Sequence, residues 1–231
     1  MLSANDNELL TKVGPGTVMG DFMRQFWIPA VLSTELPGPD CDPVRLRLLC
    51  EDLIAFRDTN GEVGLVDNFC PHRRASLFFG RNEECGLRCV YHGWKFDING
   101  DCVDMPSEPA ESNFKDKVKL KAYKLTERNG MIWAYMGPRQ TPPPLPDIEP
   151  NMMVESQNGN SAGLRNCNWV QAMEGDIDTA HLSFLHLGKV SPEDVAPGSF
   201  DFYNQRDKAP HYNVVETDYG MMYGAYRPAE E

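Results

Sequence analysis

The sequence predicts an α+β chain: an antiparallel all-β domain, followed by the start of an α+β domain in which a helix packs on an antiparallel sheet. Three observations carry this expectation. Short β-like segments between residues 44 and 135 meet at Asn60-Gly61, Asn99-Gly100 and Asn129-Gly130, and Asn-Gly between alternating apolar runs marks a tight hairpin. Residues 137–150 then hold six prolines in fourteen positions, a stiff boundary rather than a core element. Beyond it, residues 168–186 carry a helical period, and a strand pair at 211–216 and 221–226 flanks Asp218-Tyr219-Gly220. The divisions that follow are a helical lead-in over residues 1–25, a β domain over 26–145 and a second, partial domain over 146–231.

In chain order, residues 3–12 read as a helix capped by Ser3, with Leu9, Leu10 and Val13 on one apolar side, and Gly14-Pro15-Gly16 ends it. Residues 20–27 read as a second helical turn, and Leu36-Pro37-Gly38-Pro39 leads into the strands. Strands are expected at 44–49, 53–57, 63–67, 95–98, 102–105, 122–127 and 131–135. Within residues 168–186, Trp169, Ala172, Met173, Ile177 and Ala180 form the inner side of a helix.

Composition narrows the function classes. The formal net charge of -12, from 22 basic and 34 acidic residues, argues against nucleic acid, which requires a basic face. The same field does not draw in an anionic substrate, so an acidic ligand needs local Arg or Lys, while an acidic face could dock a positively charged redox partner. No basic region followed by an apolar run opens the chain, and no stretch reaches the roughly eighteen apolar residues of a membrane helix, so neither a signal peptide nor a membrane partner is expected. Seven scattered cysteines are too few for a disulfide framework, and a reducing cytoplasm is the expected location.

The chemistry concentrates between Cys70 and Trp94. Cys70-Pro71-His72 is followed after sixteen residues by Cys89-Val90-Tyr91-His92-Gly93-Trp94. A tetrahedral zinc site usually pairs Cys with Cys and His with His. Here each loop mixes the two, which suits a Rieske [2Fe–2S] cluster with two Cys on one iron and two His on the other. Structural zinc and a loose set of core side chains are the alternatives. Pro71 stiffens the first loop, and Gly93 lets backbone approach the inorganic sulfurs.

A second constellation, Glu174, Asp178, His181 and His186, lies in the helical stretch. Residues three or four apart share a helix face, so Glu174, Asp178 and His181 line up. His186 lies about 140 degrees round from His181 at 3.6 residues per turn, so a bend or helix end is expected between Thr179 and His186. Two His suggest the two-His, one-carboxylate triad of a non-haem iron(II) oxygenase. The alternative is two unrelated His on an amphipathic helix. Of five histidines, four fall in these two motifs, leaving His211 as a surface or strand residue.

The two loop motifs, with Arg73 after the first, resemble the Rieske signature of ring-hydroxylating oxygenases of the phthalate 4,5-dioxygenase type. The likeness runs from Val13-Gly14-Pro15-Gly16 through Gly80-Arg81-Asn82-Glu83 to the second motif. It implies that 26–145 is a Rieske iron–sulfur domain and 146–231 a partial catalytic domain carrying a mononuclear iron helix. It further implies that His181 and His186 bind mononuclear Fe(II), and that Asp178 links that iron to the cluster of a neighbouring subunit by accepting hydrogen bonds from His181 and from His92 or His72 of the partner chain. The bland alternative is that Asp178 only orients His181. A homotrimer, or stacked trimers, follows from the first reading.

The activity so implied is that of the terminal oxygenase of a multicomponent system. It takes electrons from NADH through a separate flavin and iron–sulfur reductase, activates O2, and hydroxylates a small aromatic substrate, as a dioxygenase or monooxygenase. An aromatic carboxylate such as phthalate is the expected substrate, with Arg165, Arg206 and Arg227 as candidate partners of its carboxylate. In the family the third iron ligand is an Asp far downstream, which places it beyond residue 231. Asp176, Asp201, Asp207 and Asp218 have no spacing that singles one out. The last strand pair leaves edges to be covered, so the chain reads as the N-terminal part of a longer protein. The other function class is a Rieske electron-transfer module with a truncated, inactive catalytic half.

Overall fold

The computed structural model describes residues 2–109 and 111–229. The chain divides into two compact units, Met1–Leu164 and Arg165–Glu231, and its class is α+β. Among the described residues no helix is long and apolar enough to cross a membrane.

The first unit opens with α1 (Ala4–Thr11), where the Ser3 hydroxyl accepts the Asp6 N–H at 3.1 Å, and α2 (Val18–Met23), where Thr17 does the same for Gly20. No side chain of α1 is buried. Its expected apolar side therefore covers little. Ten strands follow: β1 (Trp27–Leu32), β2 (Val44–Leu48), β3 (Glu51–Arg57), β4 (Val63–Asp67), β5 (Arg81–Glu83), β6 (Gly86–Arg88), β7 (Lys95–Phe96), β8 (Cys102–Asp104), β9 (Ala122–Arg128) and β10 (Met131–Tyr135). Six pair in the order β1-β10-β9-β4-β3-β2, and four in the order β5-β6-β7-β8, all antiparallel.

The sequence of β3 explains how the two sheets share one unit. Leu53, Ile54, Ala55 and Phe56 are all buried, a run rather than an alternation, so both faces of the strand are covered. Leu53 and Ala55 pack with Val31, Leu65, Ile132 and Ala134. Ile54 and Phe56 face the other way, into a cluster with Val66, Leu77, Leu87, Trp94 and Phe96 that also holds Cys70 and Cys89. The expected metal loops are thus walls of a core.

Three elements depart from expectation. Trp27 opens β1 instead of closing a helical turn. Pro29 hides this strand, because Pro is tolerated in a strand only at a sheet edge; β1 is such an edge, and its register with β10 shifts between Pro29 and Val31. The β5–β6 hairpin carries no glycine at its turn, since Glu84 (φ 50°) and Cys85 (φ 58°) take the left-handed conformation themselves. Each costs on the order of 1 kcal/mol, offset here where Thr59 accepts the Cys85 N–H and Lys95 donates to the Glu84 carbonyl. Finally, after α3 (Glu149–Met152), the chain stays with the first unit beyond the proline-rich stretch. Asn129 donates to the carbonyls of Pro150 and Met153, and Asn158 and Asn160 both donate back to its own carbonyl at 2.7 Å.

The second unit holds α4 (Trp169–Ile177), α5 (Phe200–Arg206) and the hairpin β11 (His211–Thr217) and β12 (Gly220–Tyr226). Asn168 caps α4 by accepting the Gln171 N–H at 3.0 Å. Val170 is the buried residue of α4, while Met173 and Ile177, expected inside, are 43% and 45% exposed.

Candidate metal centres

The two loops that carry Cys70 and Cys89 are built on one backbone pattern. The Cys70 N–H donates to the Ala75 carbonyl at 2.9 Å, and the Cys70 carbonyl accepts the Arg74 N–H at 2.9 Å. The Cys89 N–H donates to the Trp94 carbonyl at 2.8 Å, and the Cys89 carbonyl accepts the Gly93 N–H at 3.0 Å. In both loops the fourth residue after the Cys is left-handed, Arg74 at φ 59° and Gly93 at φ 77°. Only glycine fits at 93, since a Cβ there would lie 2.6 Å from Cγ of Pro106. The second loop is the tip of the β6–β7 hairpin, and the first is closed by the Phe69–Ser76 bridge. Strands thus anchor the second loop, and a single bridge closes the first.

Cys70 and Cys89 are 2% and 3% exposed. The His72 and His92 rings stand 4.4 Å apart between centroids, and His72 stacks on Trp94 at 4.5 Å with planes 9° apart. Burial, together with the facing Cys89, pushes the Cys70 thiol up to about 11. Burial, then His92 and Arg73, hold His72 below the usual imidazole value, which favours the neutral, metal-ligating form. Nδ1 of His72 is buried with no hydrogen-bond partner among the described residues. Two buried thiols facing each other, beside two adjacent imidazoles of which His72 has an orphaned nitrogen, fit a [2Fe–2S] group with Cys on one iron and His on the other. Among the described residues, no three His, Cys, Asp or Glu side chains close on one point as a single-ion site would. A structural zinc site lacks its four convergent ligands here.

Arg88, unremarked in the sequence, holds the second loop. Its Nη1 donates to the Gly93 carbonyl at 2.8 Å and to Asp104 at 2.7 Å, and its Nε to Glu83 at 2.6 Å. Arg81 and Arg88 draw the Glu83 carboxyl down to about 2. The available signal was its position, one residue before a cluster cysteine.

In the second unit α4 ends at Ile177 and Asp178 caps it, slightly before the expected break. Glu174 therefore does not share a helix face with His181, which opens a separate 3-10 turn, His181–Ser183. The early end turns the two imidazoles toward each other, with ring centroids 5.1 Å apart. Asp178 accepts the Ala180 N–H at 2.8 Å through one oxygen, and its other oxygen lies 3.3 Å from Nδ1 of His181. The Ala180 N–H, then those of His181, hold its carboxyl below the ordinary value. A carboxylate on Nδ1 fixes the tautomer of His181 and leaves Nε2 for a metal. His181 and His186 thus fit as two ligands of a mononuclear iron.

Sequence reasoning missed what holds this turn. The Tyr212 hydroxyl accepts the Thr179 N–H at 2.9 Å, and Nη2 of Arg227 donates to the Thr179 carbonyl at 3.0 Å. Arg227 also donates from Nε to the Asp207 carbonyl, so this candidate carboxylate partner ties backbone instead. Arg165 pairs with Asp176 at 2.6 Å, and Arg206 lies 5.9 Å from the Phe202 ring.

Comparison with known proteins bears on both centres. The family profile of the Rieske [2Fe-2S] domain matches residues 26–124, and that described as LigXa C-terminal domain like matches residues 134–230. The chain is 48% identical over 231 residues to the 3-chlorobenzoate-3,4-dioxygenase oxygenase subunit of Comamonas testosteroni, with 100% of this chain and 53% of that protein covered. It is 46% identical to the phthalate 4,5-dioxygenase oxygenase subunit of Pseudomonas putida, with 98% and 53% covered. The chain spans about half the length of the curated relatives it matches. Among solved structures, the oxygenase in the oxygenase–ferredoxin complex of carbazole 1,9a-dioxygenase superposes with a TM-score of 0.64 at 26% identity, over 91% of this chain and 52% of that one.

Proposed function

We propose, from the Rieske and LigXa-type profile matches and the 46–48% identity to oxygenase subunits, that the chain is the cluster- and iron-binding part of a terminal oxygenase that inserts oxygen into an aromatic compound. The observation that carries this is the convergence of His181 and His186, with Asp178 against Nδ1 of His181. An electron-transfer module has no use for that pair. The relatives named for chlorobenzoate and phthalate support an aromatic carboxylate, such as phthalate, as the substrate class, with Arg206 as a candidate partner for its charge.

Cys70, Cys89, His72 and His92 would hold the cluster, which would supply one electron at a time, and His181 and His186 would hold the mononuclear iron, which would supply oxygen activation. Asp178 keeps the His181 proton on Nδ1, and Arg88 fixes the Gly93 carbonyl beside the cluster. Electrons come from NADH through a flavin and iron–sulfur reductase, and Asp178 of one subunit faces the cluster histidines of the next in a homotrimer or stacked trimers, in the cytoplasm.

The test is metal analysis and EPR of protein purified without oxygen. The expected result is a Rieske signal together with iron in excess of the cluster, and loss of that excess alone in His186→Ala. A Rieske signal with no iron beyond the cluster in the parent protein would reduce the chain to an electron-transfer module. Zinc without colour would remove both readings.

A further inference from the structure

Five of the chain's nine lysines fall between Lys115 and Lys124, in a protein whose net charge is -12. The segment is extended beyond Lys117, bridged at Asp101–Lys119 and bonded from the Leu120 N–H to the Gly100 carbonyl at 2.7 Å. Its period is two. Leu120 is 3% exposed and Val118 and Ala122 are half-buried, whereas Lys119 and Lys121 are exposed; Lys115 and Lys117 stand on the 3-10 turn Phe114–Lys117, exposed with Asp116 between them, and the Lys115 ammonium also donates to the Val103 carbonyl at 3.2 Å. Lys119 pairs with Asp101, and Lys121 with Glu51. Among the described residues, no carboxylate pairs with Lys115, Lys117 or Lys124. Lys119 and Lys124 also edge a groove of about 640 Å³ whose lining includes Trp27 and Ile98.

This basic stripe begins at the cluster. Phe114, 44% exposed, packs edge-on against Trp94 with centroids 6.1 Å apart, and Trp94 stacks on His72. A protein seated on Lys115 and Lys117 therefore covers Phe114 and stands two aromatic rings from a cluster ligand.

We infer that the Lys115–Lys124 stripe, with Phe114 at its end, is the docking surface for an acidic iron–sulfur electron donor. The inference rests on the reading of the chain as an oxygenase component and assigns the face by which it is reduced. Charge selects the occupant. An acidic partner is repelled by the field of the chain as a whole and finds its attraction at this stripe, which fixes orientation as well as encounter. In the docked complex one electron leaves the donor's reduced iron–sulfur centre, and the cluster gains it; no bond is made or broken.

The test uses the protein with its cluster loaded and, as probe, an acidic plant-type [2Fe–2S] ferredoxin. Association is measured by biolayer interferometry across a salt series, and cluster reduction by the photoreduced ferredoxin is followed by stopped flow. Lys115→Glu/Lys117→Glu is expected to slow association at least about tenfold at low salt, with the difference vanishing at high salt. Lys189→Glu/Lys208→Glu, the same change in net charge in the second unit, is expected to alter it less than about twofold. Equal effects of the two double variants, or none from either, overturn the inference. So does a parent protein that ignores the ferredoxin, or one that instead sediments with anionic phosphatidylglycerol vesicles. A parent protein without a Rieske EPR signal fails the oxygenase reading itself, whereas an intact signal with unchanged association in Lys115→Glu/Lys117→Glu fails the docking surface alone.

Discussion

Replacing Arg88 by Met keeps the length of the side chain and removes every donor. The bond lost to the Gly93 carbonyl, 2.8 Å long and made by a side chain that is 12% exposed, is charge-assisted and shielded; such bonds contribute about 1.5–3 kcal/mol. The carboxylates of Glu83 and Asp104 keep access to water, at 34% and 44% exposure, and add little. The expected cost of Arg88→Met is therefore about 2–3 kcal/mol, or a drop in Tm of about 4–12 °C for a unit of this size. Because the Gly93 N–H in turn holds the Cys89 carbonyl, cluster colour is expected to be lost together with the fold. Thermal melts followed in parallel by visible absorbance and far-UV circular dichroism measure both. Arg88→Lys, which restores the charge without the fork, is expected to recover less than half of the loss. A Tm within about 1 °C of the parent, with cluster absorbance unchanged, refutes the role given to Arg88.

Two further outcomes follow from named contacts. Tyr212→Phe removes the hydroxyl that accepts the Thr179 N–H beside Asp178; it is expected to lower mononuclear iron affinity about tenfold while the Rieske EPR signal stays unchanged, as iron titration of the variant would show. Glu83 titrates near 2 in the fold against an ordinary 4.5, mainly through its bonds to Arg81 and then Arg88, so its contribution is complete above 4.5 and fades as pH falls toward 2. The Tm of Glu83→Gln is accordingly expected to fall less steeply than that of the parent across that window.

Local signals dominated what the sequence disclosed. Asn129-Gly130 forms its turn with both residues left-handed, at φ 49° and 78°, and the strands on either side lie within one residue of expectation. The Cys-x-His and Cys-x2-His loops needed no more than ligand chemistry to be read, because each ligand pair is local and the pairing of the loops follows from the cluster they fit. What stayed hidden depends on distant atoms. An edge position excuses Pro29 within β1, and the Glu84-Cys85 turn takes a conformation that residue type disfavours because Thr59 and Lys95 hold it. The end of α4 had no glycine or proline just past it, only Gly175 inside its last turn. There the Asp178 side chain takes the Ala180 N–H that a continuing helix would have used, so the polar group that breaks the helix is the one that then orients His181.

The placement of the cluster ligands ties metal binding to folding. Cys70 and Cys89 are members of the same buried cluster as Ile54 and Phe56 of β3, together with Leu77, Leu87, Phe96 and Leu120. Without a cation, the Cys70 thiol, pushed up by burial, and a buried imidazole nitrogen of His72 lacking a partner among the described residues stand in an apolar wall beside the buried Cys89, each an uncompensated polar group in the core. A [2Fe–2S] group held by Cys70, Cys89, His72 and His92 would need the thiols deprotonated and the imidazoles neutral, and its free energy of ligation would become folding free energy for the first unit. The iron-binding turn has a different footing. It is held by the Tyr212 hydroxyl, which accepts the Thr179 N–H, by Arg227, which donates to the Thr179 carbonyl, and by Gln205, which donates to the carbonyl of the buried Ser183, with His186 and most of the β11 strand exposed. The candidate cluster site is thus built into a core and the candidate iron site onto a hydrogen-bonded turn, so loss of mononuclear iron and loss of the cluster are expected to be separable by single substitutions.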